Sequence, residues 1–255
     1  MAAVDDSPAS FSGFLTAAGD VLQQIWTAAT TPVAAPSQAV VLAAGLAALA
    51  VVLVTPVWRT ARHVITIAHE GAHALAATLT GRRLDGIRLH SDTSGLTISA
   101  GRPRGLGMVV TSFAGYVGPG LVGLGAAGLL HAGYAVGLLW LLVALLALLL
   151  LKIRNLFGLW SVLVAGVALV AVSWWLEPGA QATVAYTVTW FLLMGSVRPV
   201  LELQSQRARG QARQSDADQL ARLTRLPGLF WVAMFLLVTV GALVLGAWWI
   251  VGPAA

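Results

Sequence analysis

Long apolar runs recur along this 255-residue chain and constrain its fold more than any other feature. Hydrophobic residues make up 58% of the sequence and charged residues only 10%, a balance that soluble globular domains do not have. A segment that spans a lipid bilayer must pair its own backbone groups, which a helix does within itself. The sequence therefore predicts an all-α polytopic membrane protein.

We count six or seven transmembrane helices. The candidate spans are residues 38–58, 62–79, 107–130, 134–151, a fifth that ends near 176, 183–197 and 226–251. Residues 82–103 are too polar to span. Within them, the apolar–polar alternation of residues 84–98 predicts a small membrane-associated β-hairpin that turns near 92–95.

The polar segments divide the chain into a tail and a core. Residues 1–36 are predicted to form an N-terminal tail or an interfacial helix. Residues 37–255 are predicted to form one membrane-embedded core, which includes the polar hairpin 82–103 and a cytoplasmic segment at 198–225.

Basic residues concentrate in three polar segments, which lie on the same side of a chain with seven spans. They are Arg82, Arg83, Arg88, Arg102 and Arg104, then Lys152 and Arg154, then Arg207, Arg209, Arg213, Arg222 and Arg225. Since cytoplasmic loops carry an excess of Lys and Arg, this side is predicted to be cytoplasmic. The same count places the N-terminus inside and the C-terminus outside.

His69-Glu70-Gly71-Ala72-His73 is a zinc-peptidase motif inside an apolar segment. Residues four apart lie on one face of a helix, so both imidazoles can reach one metal ion. Glu70 falls beside that face, where its carboxylate can take a proton from a zinc-activated water as general base. Because the chain has no cysteine, the remaining ligand must be a histidine or a carboxylate.

With the segments that follow it, this motif resembles the site-2 protease family of intramembrane zinc metalloproteases, in particular its short bacterial branch. Residues 86–99 look like the family's membrane-associated hairpin, residues 154–158 resemble the start of its asparagine-containing core motif, and residues 215–217 match more weakly. The resemblance implies a Zn²⁺-dependent enzyme that cleaves transmembrane or membrane-adjacent segments near the cytoplasmic face. By analogy with the family asparagine, Asn155 is predicted to hydrogen-bond the substrate backbone or the developing oxyanion.

The third zinc ligand departs from the family pattern. The family's usual aspartate lies shortly after that asparagine, whereas this chain has no carboxylate between Asn155 and Glu177. A catalytic zinc generally has three protein ligands, so the acid must come from elsewhere or the site is incomplete. The candidates on the predicted cytoplasmic side are Asp92, Glu202, Asp216 and Asp218.

We choose Asp216 as the third ligand, because residues 215–217 also resemble the short family branch. The alternative is that Asp216 and Asp218 only suit the first turn of a helix capped by Ser215. Asp92 has the position of a turn residue with local hydrogen bonds. Asp85 belongs to a Leu-Asp-Gly tripeptide that lies too soon after the motif, and we interpret it as part of a solvated turn.

The leading prediction is an intramembrane zinc metalloendopeptidase that hydrolyses a transmembrane or membrane-adjacent peptide bond. The alternative is a catalytically inactive pseudoprotease that binds transmembrane partners, which the missing aspartate favours and Glu70 opposes. The predicted partners are a membrane-protein or membrane-anchored peptide substrate and the lipid bilayer. No basic patch interleaved with aromatic residues argues for nucleic acid. We expect a multi-pass protein of the cell membrane, with its active site toward the cytoplasm.

Overall fold

The computed structural model describes residues 11–211 and 214–252. Residues 1–10 of the predicted tail, and Arg213 among the basic residues, lie outside the described residues. Within these ranges the fold is helical, with one small antiparallel sheet, as predicted. Its elements are α1 (Phe11–Thr30), α2 (Gln38–Leu53), α3 (Thr55–Leu79), β1 (Arg83–Leu89), β2 (Gly95–Ala100), α4 (Leu106–His131), α5 (Ala135–Leu150), α6 (Leu156–Trp175), α7 (Pro178–Ala208), α8 (Asp216–Thr224) and α9 (Gly228–Val251).

Several helices are apolar enough to indicate a multi-pass membrane protein. Helices α4, α6, α7 and α9 are each long enough to cross a bilayer, and α5 is a shorter apolar helix. Helices α2 and α3 are long and apolar enough to cross a bilayer only when they are taken together. The chain bends by 102° at the break between them. The described residues therefore contain four candidate spans, or five if the bent pair counts as one.

The break between α2 and α3 corrects the expectation of two separate spans over residues 38–58 and 62–79. Val54 is extended, and Pro56 lies in the first turn of α3. Proline has no N–H to donate, so one continuous helix would lose a backbone hydrogen bond there. The freed carbonyl of Val52 instead accepts a hydrogen bond from Arg198 of α7.

The bent pair also changes the expected position of the N-terminal segment. Val33 N–H donates to Gly133 O over 2.9 Å. Residues 33–36 and Gln38 line a cavity together with residues 249–252 at the end of α9. The segment before α2 and the end of α9 therefore lie at the same end of the bundle. This arrangement differs from the expectation that they lie on opposite sides, which counted residues 38–58 and 62–79 as two separate crossings.

The hairpin packs at the other end of the bundle, where it joins the connection between α5 and α6. Ile87 N–H donates to Lys152 O over 2.8 Å, and Arg154 N–H donates to Ile87 O over 2.9 Å. Helix α8 packs against the first half of α4 and the start of α9. We call this the basic end, because the arginine-rich hairpin, Lys152, Arg154 and the arginines of residues 207–211 and 214–225 lie there.

Helix α7 is longer than the predicted span at 183–197. It begins at Pro178 and continues through Pro199 to Ala208, so the first part of the predicted polar segment is helical. Arg198 and Glu202, one turn apart, form an ion pair over 2.9 Å across this region. Such a pair stabilises the continued helix.

Candidate metal centre

The two motif histidines lie on the same face of α3, as their spacing predicts, and their rings meet. His69 Nε2 and His73 Nε2 are 3.0 Å apart. Both rings pack against α4 at Gly115, where an added Cβ would overlap them. Gly115 lies nine residues after the start of α4, which corresponds to about 13 Å along the helix. The histidines are therefore inside the bundle and not at its rim.

Asp216 reaches the histidines from outside the apolar helices. Its Oδ2 lies 3.4 Å from His69 Nε2 and 3.3 Å from His73 Nε2. Burial opposes ionisation of this carboxyl group, but the two histidines outweigh burial and hold the pKa of Asp216 below its usual range. Among the described residues, these three form the one group of His, Cys, Asp or Glu with metal-ligand proximity.

The donor set fits a zinc ion. A tetrahedral zinc with bonds of about 2.0–2.1 Å separates its ligand atoms by about 3.3 Å, and the three distances here are 3.0, 3.3 and 3.4 Å. His73 Nδ1 lies 2.7 Å from the backbone oxygen of Thr111. If Nδ1 carries the proton and donates a hydrogen bond to that oxygen, the Nε2 lone pair is free for a metal ion.

The start of α8 explains how Asp216 is presented. Ser215 is the N-cap, and its hydroxyl accepts from Asp218 N–H over 3.4 Å. Ala217 and Leu220 are fully buried against residues of α4, α7 and α9. The capping interactions therefore belong to Ser215 and Asp218, while the Asp216 carboxylate contacts the histidines.

Glu70 is buried beside the metal-ligand cluster, at 4% exposure. The hydroxyl of Thr97 in β2 donates to Glu70 Oε2 over 2.6 Å. An added Cβ at Gly95, at the start of β2, would overlap the Glu70 side chain. The hairpin therefore encloses the candidate general base and fixes the direction of its carboxylate.

Asn155 is hydrogen-bonded to the hairpin. Its Nδ2 donates to Leu89 O over 2.6 Å, and its Oδ1 accepts from Leu89 N–H over 3.1 Å. Both polar atoms of the amide thus pair with the backbone of β1. The predicted contact with substrate stays a prediction.

The structure does not bring the other candidate carboxylates to the histidines. Asp92 accepts from Ser94 N–H and Oγ in the hairpin turn, and these bonds lower the pKa of its carboxyl group. Glu202 pairs with Arg62 and Arg198. Asp85 pairs with Arg83, and Asp218 with Arg207.

Sequence reasoning missed several residues that shape the centre. Thr97 contacts the Glu70 carboxylate and Thr111 contacts the His73 imidazole. Tyr116 packs its ring edge-on against His69, with 4.9 Å between the centroids. No sequence motif marks these residues. The only local signal near them is Gly115 itself, since small residues in an apolar helix indicate a close helix–helix contact.

Polar side chains line a cleft of about 540 Å³ beside the centre. It is bounded by Tyr116, which contacts His69, and by Ser215, which precedes Asp216. The remaining lining residues are Leu203, Gln206, Gly210, Gln211 and Gln214. Amide side chains can donate and accept hydrogen bonds, so this lining is suited to water.

The family model described as Peptidase M50B-like matches residues 42–246, which include α3, the hairpin, α4 and α8. No curated protein and no solved structure matches the chain.

Proposed function

The chain belongs to the Peptidase M50B-like family, which is the site-2 protease family, and we propose that it is an intramembrane zinc metalloendopeptidase. The family is one of membrane metallopeptidases. The observation that carries the finer proposal is the convergence of His69, His73 and Asp216 beside the buried carboxylate of Glu70. We propose Zn²⁺ as the cofactor, bound through His69 Nε2, His73 Nε2 and an Asp216 carboxylate oxygen.

A zinc ion bound by these three residues would lower the pKa of a water toward about 7 and polarise the scissile carbonyl. Glu70 takes the proton from the attacking water, whose oxygen bonds to the carbonyl carbon, and delivers that proton to the amine as the C–N bond breaks. Thr97 holds the Glu70 carboxylate in one orientation through its 2.6 Å hydrogen bond. Thr111 does the same for the His73 ring through the 2.7 Å contact at Nδ1.

The proposed substrate is a transmembrane or membrane-anchored polypeptide that unwinds locally and adds to the hairpin as a strand. Strand β1 is paired with β2 on one side and bridged to Ile153 on the other. Strand β2 has no second strand partner among the described residues, and it also carries Thr97. An extended peptide on that edge would gain backbone hydrogen bonds next to Glu70. In this arrangement Asn155 holds β1 in place through its two hydrogen bonds to Leu89. A direct contact of Asn155 with the substrate or the oxyanion stays a separate prediction.

We propose that the centre opens toward the cytoplasm. The basic end carries the hairpin, residues 152–155 and α8, and an excess of arginine marks cytoplasmic segments. Asp216 enters the centre from that end, and the polar cleft beside it supplies a route for water.

The test is cleavage of a co-expressed membrane substrate by the wild-type chain and by Glu70→Gln. Glutamine keeps the shape of the side chain but cannot accept the proton, so we expect Glu70→Gln to retain zinc and lose proteolysis. Unchanged cleavage by Glu70→Gln would move the general base to another residue. Absence of cleavage by a zinc-replete wild-type chain, across a panel of membrane substrates, would support the pseudoprotease instead.

A further inference from the structure

Asp216 belongs to a nine-residue helix in a connection between two apolar helices, so something must hold it against α3. Two buried apolar side chains, Ala217 and Leu220, anchor α8. Apolar contacts are not directional, so they fix how deeply the helix packs better than they fix its rotation. Rotation decides whether the Asp216 carboxylate points to the histidines.

A polar cluster on the opposite side of α8 supplies that direction. The Arg207 guanidinium, in the last turn of α7, pairs with the Asp218 carboxylate. It also donates to the Ser215 hydroxyl over 3.4 Å, and that hydroxyl donates to Asp218 Oδ2 over 2.7 Å. We call Arg207, Ser215 and Asp218 the α8 clamp.

The two acidic residues of α8 have their partners on opposite sides of the helix. Successive residues of a helix are rotated by about 100°, so Asp216 and Asp218 point about 200° apart. Asp218 is held by α7, while Asp216 contacts His69 and His73 of α3. A helix restrained on both faces of its first turn has one rotation available.

Helix α9 closes the other side of the clamp. An added Cβ at Gly228, the first residue of α9, would overlap the Arg207 guanidinium. The side chains of Arg207 and Asp218 are only 19% and 22% exposed. An ion pair shielded in this way is screened by salt less than one on an open surface.

We propose that the α8 clamp is a positioning device that sets the zinc affinity of the centre by holding Asp216 on the histidines. This proposal depends on the proposed function, since it takes Asp216 as a zinc ligand. Arg207 and Asp218 do not touch the metal ligands and act through the orientation of α8. Gly228 contributes by leaving room for the guanidinium.

The test is the zinc dissociation constant of the purified full-length chain, measured by competition with a chelator, beside the thermal unfolding of the zinc-free protein. Loss of a residue that orients a metal ligand typically costs 10–100-fold in affinity. We therefore expect Arg207→Gln and Asp218→Asn each to bind one zinc with an affinity at least about tenfold weaker. Exchange of the charges in Arg207→Asp/Asp218→Arg should recover part of the loss.

Matched controls separate the clamp from general damage. Arg209→Gln removes an exposed arginine of the same region that contacts Ser205 and Gln211, and it should leave zinc affinity unchanged. Gly228→Ala should weaken zinc binding without changing any charge. Gly241 lies in the same helix and has no atom near the position of an added Cβ, so Gly241→Ala should leave zinc affinity unchanged.

Wild-type zinc affinity in Arg207→Gln, Asp218→Asn and Gly228→Ala, with weak binding in Asp216→Ala, would overturn the clamp and leave the proposed function intact. Wild-type affinity in Asp216→Ala itself would overturn the ligand assignment on which both rest. If Arg207→Gln does not fold, the charge exchange and Gly228→Ala still decide the result.

Discussion

At the scale of single residues, the candidate site depends on hydrogen bonds that orient its chemical groups. The Thr97 hydroxyl contacts both the carboxylate and the backbone oxygen of Glu70, over 2.6 and 3.1 Å. The His73 ring is fixed at Nδ1 by Thr111 O. Because these partners do not belong to the H-E-x-x-H motif, they provide variants that leave every proposed ligand and the proposed base, Glu70, in place.

The first prediction concerns Thr97. Valine has nearly the same shape but removes the donor to Glu70, and a hydrogen bond to a charged group is worth about 1.5–3 kcal/mol. We expect Thr97→Val to lower kcat by about tenfold or more, with zinc content unchanged. Thr97→Ser restores the hydroxyl and should recover most of the rate. A fall in zinc content, or equal rates for Val and Ser, would show that Thr97 does not act through Glu70.

At the scale of elements, the close approach of α3 and α4 creates the space for the metal centre. Gly115 faces the two imidazoles, and Gly118 faces Ala72 one turn further along. Small residues at such contacts let two helices pack backbone to backbone. Gly125, on the same helix, has no atom near the position of an added Cβ.

The second prediction compares these two glycines. A methyl group at Gly115 would occupy the volume of the His73 ring, so Gly115→Ala should displace the ligands and reduce zinc binding to well below one ion per chain. Gly125→Ala adds the same methyl group to open space and should bind zinc normally. Equal zinc content in the two purified variants would mean that the α3–α4 contact does not set the geometry of the centre.

The sequence predicts those elements whose signal is local. The i, i+4 spacing of His69 and His73, and the alternation in residues 84–98, depend only on helix and strand periodicity. The break at Val54 was missed, because the apolar run continues through it and only Pro56 marks it. The contacts of Thr97 with Glu70 and of Arg207 with Asp218 could not be predicted, because the partners lie 27 and 11 residues apart along the chain.

For Asp216, the family resemblance and the local sequence pattern predict different roles. Its position after Ser215 is typical of a helix start, and nothing local distinguishes it from Asp218. The structure separates the two by rotation about α8, with one carboxylate on the histidines and the other on Arg207. That distinction requires the packing of α8 against α4, α7 and α9, which no sequence window contains.

At the scale of the whole molecule, the two ends of the bundle differ in charge. The basic end carries the hairpin, residues 152–155 and α8. The other end carries residues 33–38, the α6–α7 turn and the end of α9. Because cytoplasmic segments carry an excess of Lys and Arg, we propose that the basic end is cytoplasmic and that the segment before α2 is outside.

The third prediction tests this orientation in the naturally cysteine-free chain. Cysteines at Arg83, Lys152 and Arg209 should resist an impermeant thiol reagent in intact cells and react after permeabilisation. Cysteines at Ala35 and Glu177, both exposed at the other end, should react in intact cells. Labelling at any of the three basic positions, or protection of Ala35 before permeabilisation, would contradict the arrangement.

Zinc content of the purified full-length chain is the most direct test of the metal centre. We predict one zinc per chain in the wild type and in Glu70→Gln, because the base is not a ligand. We predict none in His69→Ala/His73→Ala, and sub-stoichiometric zinc in Asp216→Ala at a zinc concentration that saturates the wild type. Full zinc occupancy in the double alanine variant would contradict the metal centre and the peptidase chemistry proposed for it.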